Sequence, residues 1–194
     1  MDKAVEAAGQ EPIFFILPYK QKKVGIVATG SEIQKGRIKD TFTPVLEEKL
    51  SEYPTEVLGH TTPGDEKEQI TADILKYIEE GADLVVCTGG MSVDPDDRTP
   101  GAIKDTGARI VTYGAPVLPG AMLLIAYYEK DGKNVPILGL PGCVMYARRT
   151  IFDLILPRIM ADDEIIFEEV AEYGEGGLCL NCEVCTFPNC GFGK

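Results

Sequence analysis

The sequence predicts an α/β fold, a three-layer, mostly parallel sheet with helices on both faces, followed by a Cys-rich C-terminal tail. Three observations predict it. The runs Val24-Gly25-Ile26-Val27-Ala28-Thr29 and Leu84-Val85-Val86-Cys87-Thr88 are apolar without polar alternation, as strands buried on both faces are. Between them, apolar residues recur at helical spacing: Phe42, Val45, Leu46 and Leu50, then Ile70, Ile74, Leu75 and Ile78. Strand candidates end at glycine or proline, in Gly30, Gly89-Gly90 and Pro141-Gly142, which is where strands hand over to helices in such folds.

Each element follows in order. Residues 1–10 read as a weak helix and 12–19 (PIFFILPY) as an apolar strand or covering segment, a leader over 1–22 without a motif. The domain proper spans 23–161. After the first strand and the turn Gly30-Ser31-Glu32, the helix carrying Phe42 to Leu50 stops at Tyr53-Pro54. A strand over 55–59 leads into Thr61-Thr62-Pro63-Gly64-Asp65, where Asp65 is read as the cap of a helix over 66–80 that Gly81 closes. The central strand comes next. A short helix over 100–105 follows, with Thr99 as N-cap and Pro100 at its first position. Strands are expected over 109–113, 121–129 and 135–140, the last two joined by a hairpin turn at Asp131-Gly132. The last helix is expected over 143–160, kinked at Pro157. Residues 162–178 read as a solvated acidic and glycine-rich connector, and 179–194 as the tail.

Length and charge bound the function. The 194 residues suit one domain with a full core and extra chain at the ends. A net charge of −12 argues against nucleic acid as a partner, because phosphate backbones demand clustered Lys and Arg. No apolar run approaches the ~20 residues that cross a bilayer. The start, Met1-Asp2-Lys3-Ala4, lacks the basic-then-apolar pattern of a secretory signal. No membrane association and a cytoplasmic location are therefore expected.

Ligands of open α/β sheets sit beyond the carboxyl ends of the strands. Three such ends carry loops of one kind: Thr29-Gly30-Ser31-Glu32, Thr88-Gly89-Gly90-Met91-Ser92 and Leu140-Pro141-Gly142. On parallel neighbours they would share one rim; singly, each reads equally well as an ordinary turn. Beyond Gly90 stand Asp94, Asp96 and Asp97, hard oxygen ligands suited to Mg2+ shared with a phosphate, or else solvated charges on an exposed turn. His60 is the only histidine, and no Ser/His/Asp or Cys/His arrangement assembles around it. The tail sets Cys179, Cys182, Cys185 and Cys190 as C-x2-C-x2-C-x4-C, one residue from the bacterial ferredoxin run. This points to an Fe–S cluster or a tetrahedral Zn2+, against the plainer reading of a disordered tail with free thiols.

With these loops in place, residues 23–160 resemble the molybdopterin-binding domain of molybdenum cofactor biosynthesis proteins, of the molybdopterin molybdenumtransferase and adenylyltransferase type. The resemblance rests on Ala28-Thr29-Gly30-Ser31-Glu32, on Thr88-Gly89-Gly90-Met91-Ser92-Val93 with Asp97, on Val117-Leu118-Pro119-Gly120 and on Gly139-Leu140-Pro141-Gly142. It implies a homo-oligomer, a trimer, that binds a molybdopterin-type small molecule along this edge, with adenylyl transfer or Mg2+-assisted molybdenum insertion as the activity if the chain is catalytic. By the resemblance, Glu32 and Asp97 match acidic positions of the active site. Gly89, Gly90 and Ser92 match the ligand-cradling loop, with Thr29, Gly30, Ser31 and Thr88 beside it, and Pro141 and Gly142 match the loop next to molybdate or pterin. The sequence also departs from the family. Ala121 and Met122 stand where a lysine often follows Pro-Gly, and Cys143-Val144 where the enzymes usually carry Asn-Pro or Ser-Pro. The further domains of insertion enzymes are not in this chain, and the cysteine tail is foreign to both enzyme branches. The alternative is a non-catalytic carrier that hands molybdopterin to a molybdoenzyme or another assembly protein, the tail serving docking or redox sensing. A third is a domain of this fold whose ligand is a different phosphorylated small molecule.

Overall fold

The computed structural model describes residues 3–4, 7, 9 and 14–194. The helix expected over 1–10 and the start of the segment expected over 12–19 lie largely outside the described residues. Residues 14–19 form no strand, contrary to expectation, and Phe14, Phe15 and Ile16 are exposed. Pro18 removes a ladder donor there, and a backbone bond from Lys20 N to Met160 O (2.8 Å) docks the chain just before the sheet begins.

Six strands, β1 (Lys22–Ala28), β2 (Thr55–Thr61), β3 (Leu84–Thr88), β4 (Arg109–Tyr113), β5 (Leu124–Lys130) and β6 (Lys133–Leu140), form one sheet in the order β2-β1-β3-β6-β5-β4. Only β5 runs against its neighbours. Helices α1 (Ser31–Gln34), α2 (Phe42–Ser51), α3 (Lys67–Glu79), α4 (Thr99–Asp105), α5 (Ile151–Met160) and α6 (Phe167–Glu172) accompany them among the described residues. Successive strand residues face opposite sides, and both sides are covered. On one, Leu46 and Leu50 of α2 and Phe152, Ile155 and Ile159 of α5 pack on Val24, Ile26 and Leu138. On the other, Ile70, Ile74 and Tyr77 of α3 and Ile103 of α4 pack on Val27, Val85, Cys87 and Ile137. This explains the unbroken apolar runs: each large side chain so buried stabilises the fold by about 1.5–3 kcal/mol. Among the described residues no helix is long and apolar enough to cross a membrane.

Three expectations need correction. Helix α5 starts at Ile151 and not at 143. Gly142–Met145 forms a 3-10 turn, and Thr150 then opens the true helix through a capping box, its Oγ1 accepting from Phe152 N (3.2 Å) while Asp153 Oδ2 accepts from Thr150 N (2.7 Å). Pro157 lies inside α5 without ending it. The strand expected over 121–129 begins only at Leu124, because residues 120–123 close a turn through Leu123 N to Gly120 O (3.0 Å). The connector is not wholly solvated either: α6 buries Val170 in the first core.

Helix α2 has an entry device that sequence reading passes over. The Asp40 carboxylate accepts from the amides of Phe42 (2.9 Å) and Thr43 (3.0 Å) and from the Thr43 hydroxyl. Burial by itself raises the Asp40 pKa, but the Thr43 and Phe42 donors outweigh it and hold the carboxyl below its ordinary value. Its stabilising contribution is therefore complete above the unfolded carboxylate pKa of about 3.9 and is lost as pH falls through the lower folded value. Asp40→Ala is expected to cost about 1 kcal/mol at neutral pH in urea denaturation, the gap to the parent closing in acid.

Candidate functional site

The rim at the carboxyl ends of the strands is built by register. Ala28 of β1 pairs with Thr88 of β3, Thr88 pairs with Leu140 of β6, and Val27 pairs with Thr61 of β2. The loops that carry Thr29 to Glu32, Gly89 to Asp97, and Pro141 with Gly142 therefore leave the sheet side by side.

Hydrogen bonds lace the first two loops together. Thr29 Oγ1 donates to Thr88 O (3.0 Å) and stands 3.1 Å from Thr99 Oγ1, which donates to Gly89 O (2.8 Å). Both threonines are buried. Thr99 thus differs from its expected role. It opens α4 without a side-chain cap bond, and its hydroxyl instead satisfies the carbonyl that ends a buried strand. Gly89 has φ +81°, and a Cβ there would stand 2.4 Å from Thr29 O, so only glycine lets the loops approach this closely. Met91 lies over Gly139 and is 4% exposed, tying the same loop to β6.

The acidic loop is a closed turn. Asp97 Oδ2 accepts from Ser92 N (2.6 Å), Asp97 N donates to Asp94 O (2.9 Å), and Asp94 Oδ1 accepts from Asp96 N (3.0 Å). Tyr113 OH braces it from β4 by donating to Ser92 O (2.8 Å). Asp94, Asp96 and Asp97 do not converge as a three-carboxylate Mg2+ site, since among the described residues no three His, Cys, Asp or Glu are placed to hold one ion. Asp94 is engaged in the turn, and the Asp96 side chain is 95% exposed. Asp97 remains, anchored at the loop's base.

Ser31 N donates to Asp65 Oδ2 (3.1 Å) and Gly30 N to Pro63 O (3.3 Å), so the loop after β2 joins the rim. Asp65 was expected as a helix cap; α3 begins at Lys67 with no side-chain cap, and the carboxylate faces the neighbouring loop instead. Its place after a strand end in Pro63-Gly64-Asp65 was the signal that could have found it. Glu32 is exposed on α1, and Pro141 is buried beside exposed Gly142. Beyond Gly142, Lys49 Nζ donates to Arg148 O (2.9 Å) and pairs with Asp153 (2.9 and 3.1 Å), while Arg149 bridges Asp153 and Glu52. No local pattern marks this buried network.

The tail packs on the domain, which overturns the disordered reading. Phe192 is buried in the first core, Gly177 N donates to Gly191 O (2.7 Å), and Cys179 N donates to Leu118 O (3.2 Å). Cys179, Cys182, Cys185 and Cys190 are free thiols.

Comparison with known proteins agrees with this architecture. The family described as "Probable molybdopterin binding domain" matches residues 25–161. A molybdopterin molybdenumtransferase of Synechococcus elongatus is 27% identical over 167 residues, covering 81% of this chain and 40% of its own length. A CinA-like protein of Mycobacterium tuberculosis is 36% identical over 77 residues, covering 40% of this chain and 18% of its own. The chain thus spans less than half the length of these curated relatives. The crystal structure of the tungsten cofactor synthesizing protein MoaB from Pyrococcus furiosus superimposes with a TM-score of 0.60 at 20% identity, over 75% of this chain and 99% of that one, a likeness of fold.

Proposed function

Because the chain belongs to the molybdopterin-binding domain family, we propose that it binds molybdopterin, or its adenylylated form, across this rim as a step of molybdenum cofactor biosynthesis. The observation that carries the reading is the side-by-side ending of β1, β3 and β6 at Ala28, Thr88 and Leu140. The Thr29 and Thr99 hydroxyls hold the backbone of Gly89 against Thr29 before any ligand arrives, so little ordering is left to the binding step.

A phosphorylated pterin is anionic, and the rim carries Glu32, Asp65 and Asp97, with Arg98 as the basic residue beside Asp97. A divalent cation would offset the remaining negative charge. Mg2+ fits that demand, because it is normally held by one or two carboxylates while phosphate oxygens and water complete its octahedron. Asp97 would hold it through the oxygen not engaged with Ser92 N, and Mg2+ so placed would neutralise the phosphate. Ser92 N holds the Asp97 carboxylate at the base of the loop, and Tyr113 keeps Ser92 in place. If the chain turns over, the reaction class is adenylyl transfer at the terminal phosphate or insertion of molybdenum, as substrate, at the dithiolene. In either, its residues supply position and charge and form no covalent bond to the ligand.

Isothermal titration with molybdopterin and Mg2+ tests this. Asp97→Asn keeps an acceptor for Ser92 N and removes only the charge, so affinity in Mg2+ should fall roughly tenfold, equivalent to about 1.4 kcal/mol, and lose its Mg2+ dependence. Absence of binding with and without Mg2+ overturns the proposal.

A further inference from the structure

The family match ends at residue 161, so the rim leaves the tail unexplained. All four of its cysteines, Cys179, Cys182, Cys185 and Cys190, line a single cavity of about 350 Å³, together with Arg148 and Arg149. The segment around it has no helix or strand, only an isolated bridge between Gly177 and Phe192, and Leu178, Leu180 and Val184 are exposed. A loop with so little core of its own is the kind that a metal centre stitches together.

Two features select the occupant. The four cysteines line the cavity, and among the described residues no three are placed to hold one ion. Tetrahedral Zn2+ draws its four sulfurs to about 2.3 Å from one centre, which would require this cavity to collapse. A cubane cluster fills the middle with iron and sulfide and keeps its cysteines outside, so it needs the room. The second feature is charge. A 4Fe–4S core bound by four thiolates is anionic, and the cavity wall carries Arg148 and Arg149, the latter already paired with Glu52 and Asp153 but with donor capacity left toward the tail. Arg149 stacks on Phe187 with its Cζ 5.1 Å from the ring centroid, and its Nε is a buried donor without a partner among the described residues. Arg148 Nη1 reaches the same loop at Glu183 O (3.4 Å). Such donors stabilise a cluster and set its potential.

We propose that the tail binds a 4Fe–4S cluster through Cys179, Cys182, Cys185 and Cys190. Assembly binds the four sulfurs as thiolates and releases their protons to solvent. The inference stands whether or not the rim binds molybdopterin, and its test reads the metal alone. The full chain, purified anaerobically and reconstituted with equal parts of ferrous and ferric iron and with sulfide, so that no further oxidant is needed, should be brown, hold about four iron and about four sulfide per chain, and lose its broad blue absorption on reduction by dithionite. Cys182 and Cys185 are exposed, so serine there removes a ligand and no packing. Cys182→Ser and Cys185→Ser should each lower iron content roughly tenfold with an unchanged circular dichroism spectrum, and Cys143→Ser should leave it intact. Colourless protein with stoichiometric zinc, or iron uptake indifferent to both tail substitutions, overturns the assignment.

Discussion

Asp153→Ala is expected to lower stability by about 3–5 kcal/mol, the cost of leaving one partner of a buried ion pair uncompensated. The Lys49 side chain is 10% exposed and that of Asp153 is 4% exposed. Removing the carboxylate strands the ammonium with only Arg148 O as acceptor, takes one of two partners from Arg149, and breaks the capping box that starts α5. The urea midpoint measures it. Lys49→Met combined with Asp153→Leu should recover the part of the loss due to the stranded ammonium, because both charges leave together, while the capping box and the Arg149 contact stay lost. A single-variant loss below about 1 kcal/mol, the ceiling for ordinary surface pairs, contradicts the buried-pair account.

Gly89→Ala is expected to cost about 2–5 kcal/mol and to weaken molybdopterin binding by more than tenfold. A left-handed backbone costs a non-glycine residue about 1–2 kcal/mol, and forcing atoms into a packed region adds about 1–3 kcal/mol. The added methyl would stand 2.4 Å from Thr29 O, a backbone atom that moves only if β1 and β3 part at the rim. Gly132→Ala supplies the control. Its φ is +74° but nothing lies within 4 Å of the new Cβ, so it should show the conformational cost alone and leave binding unchanged. Equal losses at the two positions would show that the close approach at Gly89 does not matter.

These two cases mark what sequence reading reaches. β3 was legible residue for residue, because a strand buried on both faces is an uninterrupted apolar run and Gly89-Gly90 ends it. Helices α2 and α3 were legible from spacing, their buried Leu46, Leu50, Ile70 and Ile74 lying where a 3.6-residue period puts them. Three loops converge on one rim because β1, β3 and β6 run parallel and end in register. What stayed hidden depends on partners distant in the chain. Thr99 looks like a helix cap until a Thr29 hydroxyl 70 residues away is placed against it. Asp65 looks like another until Ser31 N reaches it, and the Lys49–Asp153 pair spans 104 residues. The apolar residues after Gly142 continue a helical period and so hide the start of α5, which the backbone places at Thr150 and Asp153.

The one strand that opposes the others has a practical consequence. Its hairpin at Asp131-Gly132 lies at the end of β6 away from Leu140, and residues 131–134 are exposed. With roughly 3.3 Å of rise per residue, the eight residues of β6 separate that turn from the loops after β1, β3 and β6 by roughly 25 Å. Extending an exposed connection is inexpensive in chain entropy, so an affinity tag or fluorophore-bearing peptide grafted there would tether the molecule to a sensor surface with its ligand-facing end open to solution.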